Sequence, residues 1–261
     1  MRFGVSVPNA GDPSELVELA VAVERSGWDG FFLWDHLNVG PDMHDPWVLL
    51  GGVAVRTHTL RLGTLVTPVP RRRPWKLAKE MITLDHLSHG RAALGVGLGV
   101  PADSEYGAFG EPTSARVHAA RLDEALPLID AFLRGDAVDH DGEHFQVHTS
   151  LTPAAVQRPR PPIWVAATLP HRRPVMRAKR WDGIFPLNSA TGPGPLTPAE
   201  LSDLVADLDP PEGYDVITML TADVPPSELA DAGATWAIEG PASPRESISD
   251  VRRRVDAGPP G

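Results

Sequence analysis

Apolar residues along this chain alternate between two patterns. Short runs of strand type occur at Phe3–Val7, Phe31–Trp34, Leu62–Val66, Ala92–Val96, Ile163–Ala167, Gly183–Pro186, Val216–Leu220 and Thr235–Ile238. Between them lie stretches whose apolar residues recur at helical spacing. The first stretch is read as a helix with Ser14 as N-cap, running through Arg25 with Leu16, Leu19, Ala20 and Val23 on one face. Pro46 opens a second helix through about Arg56, and Pro74 a third whose buried stripe is Leu77, Met81 and Leu84. A long fourth helix is expected from about Ser114 to Leu133. Arg172–Lys179, Pro198–Leu208, Pro226–Ala232 and Pro244–Val255 complete the series.

Eight strands alternating with eight helices predict the α/β class and a (β/α)8 TIM barrel. A doubly wound open sheet obeys the same alternation. One segment breaks the rhythm. Residues 136–162 carry an Asp-Gly turn between two alternating stretches and then a Pro-rich approach to the fifth strand. They are read as a hairpin and connector inserted between helix four and strand five. With no repeat and no clear linker, residues 1–261 are expected to form a single barrel domain.

Composition narrows function more than fold. The apolar share of 42% and charged share of 22% are ordinary for a core-forming protein. No apolar run approaches bilayer-spanning length, and "FGVSVP" begins without a basic flank or cleavage site, so a cytoplasmic protein is expected. Cysteine is absent, which excludes disulfides and thiolate metal sites. The net charge of −10 argues against a general nucleic-acid binder. Any anionic ligand then needs local positive charge or backbone amides. Lysine occurs only at 76, 79 and 179, and this Arg-, Ala-, Gly- and Pro-rich usage matches the coding bias of a GC-rich bacterium.

The stretch "GVGLG" (Gly95–Gly99) raises the question of a dinucleotide-binding turn. Such a turn needs a helix to begin within the glycines. Here Val100 follows, and Pro101, Gly107, Gly110 and Pro112 interrupt any helix until about residue 113. In a barrel the same residues form a fourth strand whose bare C-terminal end lets a flat ligand lie against the backbone. The other reading is that the glycines relieve crowding inside the barrel.

The stretch Leu62–Gly99, "LGTLVTPVPRRRPWKLAKEMITLDHLSHGRAALGVGLG", followed by "EYGAFG", resembles the luciferase-like flavin and deazaflavin oxidoreductases. "GWDGFFLWDHL" (Gly27–Leu37), "RLDEALPLI" (Arg121–Ile129), "PIWVAAT" (Pro162–Thr168) and "RWDGIFP" (Arg180–Pro186) fit the same family in the same order. The likeness covers the chain to about residue 187 and beyond it rests on strand–helix rhythm. It implies a (β/α)8 barrel with an insertion after the fourth helix. It also implies a site in which Asp35 and His36 border a cofactor ring. In the family a non-proline cis peptide braces that ring, and by residue match it falls at Leu65–Val66, between Thr64 and Thr67. Gly97, Leu98 and Gly99 would form the floor beneath the ring, and Glu105 and Tyr106 its border. Ala167, Thr168 and Arg172 would grip the cofactor phosphate at a helix N-terminus. Family members often carry glycines where this chain has Thr168-Leu169-Pro170, and proline lacks an amide donor.

Residue chemistry gives these positions roles. His36 follows the second strand, on the catalytic face of such barrels, and suits proton transfer, with Asp35 to orient or charge it. A hydrogen-bonded loop histidine is the plain alternative. His58, His86 and His89 lie at the opposite face and are read as structural. His140, His144 and His148 flank an exposed hairpin turn without the compact context of a metal motif. "PRRRP" (Pro70–Pro74) places three guanidinium groups on the catalytic face, for an anion or as solvated charge. Trp34, Trp47 and Trp75 either wall the pocket or fill core.

Three functions are therefore carried forward. The first is hydride transfer between coenzyme F420 and a small organic substrate, with FMN as the alternative cofactor. An FMN enzyme paired with a separate flavin reductase would activate oxygen as a monooxygenase. The second is a metal-dependent hydrolase or lyase using His36 and Asp35. The third is a flavin-binding barrel without catalysis. Sugar-phosphate dehydrogenases of the deazaflavin type carry a glutamate where this chain has Val100, so that substrate is not expected. The family is commonly dimeric, which implies a homodimer.

Overall fold

A computed structural model of the chain describes residues 1–188, 194–240 and 246–260. Eight parallel strands close into a barrel: β1 (Arg2–Val7), β2 (Gly30–Leu33), β3 (Arg61–Pro68), β4 (Ala92–Gly97), β7 (Ile163–Leu169), β8 (Gly183–Asn188), β9 (Asp215–Met219) and β10 (Trp236–Glu239). β1 pairs with both β2 and β10, which closes the ring and excludes the open sheet. The helices outside are α1 (Pro13–Arg25), α2 (Pro46–Arg56), α3 (Pro74–Leu87), α5 (Ala115–Arg134), α6 (Arg172–Ala178), α7 (Pro198–Leu208), α8 (Pro226–Asp231) and α9 (Ile248–Asp256). Pro244, the expected start of the last helix, lies outside the described residues. No helix among the described residues is long and apolar enough to cross a membrane.

Helix starts follow local chemistry. Asp12, not Ser14, caps α1: its carboxylate accepts from the amides of Ser14 and Glu15, and Pro13 takes the first turn, where an N–H has no partner to lose. Asp45 does the same for Trp47 and Val48 ahead of Pro46 in α2. The irregular loop expected after the glycines holds a further short helix, α4 (Ala102–Glu105), and a 3-10 turn at Gly107–Phe109.

Strand alternation sorts two cores. Leu33, Leu62, Leu94, Val96, Val165 and Ala167 face the helices. Phe32, Leu65, Ala93, Trp164, Phe185, Ile217, Trp236 and Ile238 fill the barrel. The rings of Phe32, Trp164 and Trp236 meet pairwise at 5.5–5.9 Å. At the strands' N-terminal end, Asp215 accepts from Arg2, Trp164 Nε1 and Thr235. Among the described residues the barrel is thus filled at this end, which leaves its C-terminal end as the mouth.

The inserted segment forms a hairpin, β5 (Val138–Asp141) and β6 (Gln146–Thr149). Glu124 of α5 accepts from the amides of His144 and Phe145 and meets the His140 ring, while Phe145 stands edge-on to Trp75. His148 lies between Asp139 and Asp141. The rings of His140 and His148 are therefore engaged by carboxylates, and His144 through its amide alone.

Candidate functional site at the barrel mouth

The expected pairing of Asp35 with His36 is not formed. Successive residues at a strand end point to opposite faces, so His36 turns inward with Trp34 while Asp35 turns outward. The rings of Trp34 and His36 stand edge to face, 5.9 Å apart. Asp35 is buried and accepts from Thr67 Oγ1 at 2.7 Å, Arg71 Nη2 at 2.6 Å and Arg72 Nη2 at 2.8 Å. Its acceptor capacity is spent on structure.

The carboxylate facing His36 is Glu105 from α4. His36 Nδ1 lies 3.4 Å from Glu105 Oε1, in ion-pair range but outside hydrogen-bond geometry. Glu105 also accepts from the amides of Leu37 (3.1 Å) and Asn38 (3.2 Å) and pairs with Arg71. Burial pushes the Glu105 carboxyl upward. The His36 ring, the two amides and the Arg71 charge outweigh it and hold the group down at about 2. Arg71 therefore ties two buried carboxylates together. Arg72 joins Asp35 to Glu80, 3.4 Å away.

These pairs correct the reading of "PRRRP". The side chains of Arg71 and Arg72 are only 7% and 14% exposed and are neutralised from within. Only Arg73 is exposed, over the Trp75 ring. Adjacent arginines in a loop carry no signal that distinguishes solvated charge from a buried clamp.

Asn9, which the sequence did not single out, holds the other side of the loop. It is fully buried, accepts from the His36 amide at 3.2 Å, and donates to the carbonyls of His36 (2.8 Å) and His44 (2.5 Å). Its place just past β1, on the catalytic rim, was the available clue.

β3 bears an irregularity where the resemblance implied one. The Leu65–Val66 peptide is cis, and the pairing with β4 passes from Thr64↔Leu94 to Thr67↔Val96, three residues against two. Leu65 and Val66 both join the inner cluster. Thr64 and Thr67 are fully buried, with hydroxyls 2.8 Å apart, and Thr67 donates to Asp35.

That bulge decides the meaning of the glycines. A Cβ on Gly95 would stand 2.4 Å from the Thr64 carbonyl oxygen, and one on Gly97 would stand 2.8 Å from Val66 Cγ2. The glycines make room for β3, as the crowding reading had it, and Val66 covers them. Gly99 has φ +84°, and a Cβ there would lie 2.7 Å from Pro68 and 3.0 Å from Tyr106.

Other expected contacts turn away from the mouth. Leu98 packs on the outer core, and its carbonyl accepts from the Tyr106 hydroxyl at 2.6 Å. Tyr106 is fully buried and stacks on His118 at 3.9 Å, and burial raises its phenol well above the usual range. Ala167 faces the helices, while the half-buried Ala166 and Thr168 are its inward neighbours. The Thr168 carbonyl accepts from the His171 amide. Arg172 is exposed and lines a cleft of about 330 Å³ between α6 and α7 together with Glu200, Asp203 and Asp207. Half-buried Leu187 and Met219 complete the inner rim, and Ser6 Oγ is buried without a hydrogen-bond partner.

A sequence model described as luciferase-like monooxygenase matches residues 1–194. An uncharacterized protein y4wF of Sinorhizobium fredii is 34% identical over 187 residues, 70% of this chain and 52% of its own length. An F420-dependent glucose-6-phosphate dehydrogenase of Nakamurella multipartita is 36% identical over 185 residues, 65% of this chain and 51% of its own. A flavin-dependent trigonelline monooxygenase oxygenase component of Acinetobacter baylyi is 32% identical over 162 residues, 60% of this chain and 44% of its own. The chain thus spans about half the length of these relatives. Among solved structures, the coenzyme F420 dependent tetrahydromethanopterin reductase of Methanopyrus kandleri superposes with TM-score 0.77 at 16% identity, covering 98% of both chains. At that identity the likeness is one of fold.

Proposed function

The chain belongs to the luciferase-like monooxygenase family, and from that premise we propose that it is an oxidoreductase passing hydride between coenzyme F420 and a small organic substrate. The observation that carries this reading is the inward-facing His36 beside the Val66 bulge, at the one open end of the barrel.

The residues at the mouth suit the planar part of such a cofactor. Val66, Leu187 and Met219 present apolar surface for a ring face, and Ser6 Oγ is a polar atom in need of a partner. The tail is less well served. Pro170 has no amide, the His171 amide is committed to Thr168, and Arg172 sits among carboxylates. Among the described residues, Thr168 and the exposed Arg173 are side chains left for a phosphate.

When bound, the cofactor ring supplies the carbon that gives or takes hydride. The protein's part is placement and proton transfer. Trp34, Val66 and Met219 keep water from the reacting face. His36 exchanges a proton with the substrate heteroatom bonded to the carbon that gives or takes hydride. Residues 1–261 act as one barrel unit on this reading, with a second copy as partner in a homodimer.

A second reading is an FMN-dependent monooxygenase supplied by a separate flavin reductase. Its support is the similarity to the trigonelline monooxygenase component. Titration of the purified protein with F420 and with FMN, followed by fluorescence quenching, separates the two. Binding of F420 at micromolar levels is expected. Binding of FMN alone favours the monooxygenase, and binding of neither leaves a barrel without redox function.

A further inference from the structure

We propose that Glu105 is a positioning residue for His36, holding its imidazole as the Nδ1–H tautomer and leaving Nε2 with a free lone pair at the barrel mouth. In its consequence for turnover this rests on the role given to His36 above. The tautomer itself does not.

Three observations carry it. First, His36 Nδ1 is shut away from solvent without a hydrogen bond, and Glu105 Oε1, 3.4 Å away, is the charged atom it faces. An ionised carboxylate can only accept, so a proton on Nδ1 is favoured and a bare nitrogen there would set two lone pairs against each other. Second, the carboxylate has no freedom to turn away. It is fully buried and spans the amides of Leu37 and Asn38 and the guanidinium of Arg71. Third, the backbone under the ring is fixed from the opposite side. Asn9 takes both the amide and the carbonyl of His36, and Trp34 stands against the ring itself.

The surrounding charges fit this assignment. Arg71 reaches Glu105 from the turn after β3 and shares itself with Asp35, while Arg72 occupies the rest of Asp35. Among the described residues no cation is therefore directed at the ring, and the charged group facing Nδ1 is the Glu105 carboxylate. The His36 side chain is 22% exposed, and among the described residues Nε2 has no hydrogen-bond partner, so it is the nitrogen left for the mouth. The neutral ring is then set up to receive a proton there. Histidine in water prefers the opposite tautomer, which makes the assignment measurable.

The test is nitrogen-15 NMR of histidine-labelled protein without any cofactor, at a pH where His36 is neutral. The expected result is Nδ1–H in the wild type, with that form becoming the minor one in Glu105→Gln. Glu105→Asp, which keeps the charge, should restore part of it. An Nε2–H ring in the wild type overturns the proposal, and so does a tautomer unchanged in Glu105→Gln. If that variant does not fold, the wild-type spectrum and Glu105→Asp still decide. An Nδ1–H ring in a protein that binds neither F420 nor FMN would leave the positioning role standing and remove the oxidoreductase reading. An Nε2–H ring in an active holoenzyme would do the reverse.

Discussion

The side chain of Val66 occupies the space that a Cβ on Gly97 would need, with Cγ2 2.8 Å from that position. The two residues are neighbours only because β3 carries one residue more than β4 between paired positions. What looks in sequence like a flexible glycine run is the imprint of an adjacent strand.

Gly97→Ala is expected to destabilise the protein by about 1–3 kcal/mol through overpacking. Val66→Ala in the same chain should recover part of that loss, because the two sites share one space. Gly95→Ala should cost more, since its Cβ would meet the Thr64 carbonyl oxygen at 2.4 Å, and a backbone atom cannot rotate away. Urea midpoints of the three single variants and the double variant check this ordering.

His36→Ala is expected to lower turnover by about 100- to 10,000-fold, the usual range for losing a positioned general acid or base. The dissociation constant of the cofactor should change far less. Unchanged turnover removes His36 from the mechanism.

Asp35→Asn should register chiefly as lost stability. It leaves Arg71 and Arg72 without the charge they surround, and breaking a buried pair costs about 3–5 kcal/mol. The hydrogen bond from Thr67 and the second partners of the arginines, Glu105 and Glu80, place the effect toward the lower end. Chemical denaturation measures it, and a wild-type midpoint in this variant would contradict the buried clamp.

Acid should loosen the mouth. Glu105 is held at about 2 against an ordinary 4.5, so the folded state binds its proton more weakly than the unfolded state does. Its contribution is fully present above pH 4.5 and is lost as pH falls towards 2; a depression of this size corresponds to about 3 kcal/mol. Glu105→Gln should flatten the stability profile over that window. A profile that keeps its wild-type slope in this variant would show that other carboxyls govern acid unfolding.

The barrel was legible because its strand runs and helical stripes are long and regular, and because prolines sit in the first turns of α1, α2, α3 and α7. The insertion was legible in the Asp-Gly turn and broken rhythm of residues 136–162, whereas the cis bond came through family likeness, since nothing in the local residues dictates it. Side-chain direction was the harder matter. A two-residue period sets neighbours on opposite faces, so Ala166 and not Ala167 turns inward, and Asp35 turns away from His36. Long-range partners stayed hidden. Glu105 is 69 positions from His36 by number, yet it is the α4 turn that brings it under the second loop. The tail-binding residues were the least transferable, because Thr168-Leu169-Pro170 replaces the glycines of the pattern.

Asn9 and Glu105 seize the main chain at residues 36–38 and again at His44, and Ala10 bridges to Met43. Between those anchors, Val39, Gly40 and Pro41 form a short, largely exposed bend in the loop that carries His36. Randomising the bend should vary the surface of this loop while the imidazole stays put. Evolution, or an engineer, thus has three letters in which to write a new preference without touching the machinery beneath.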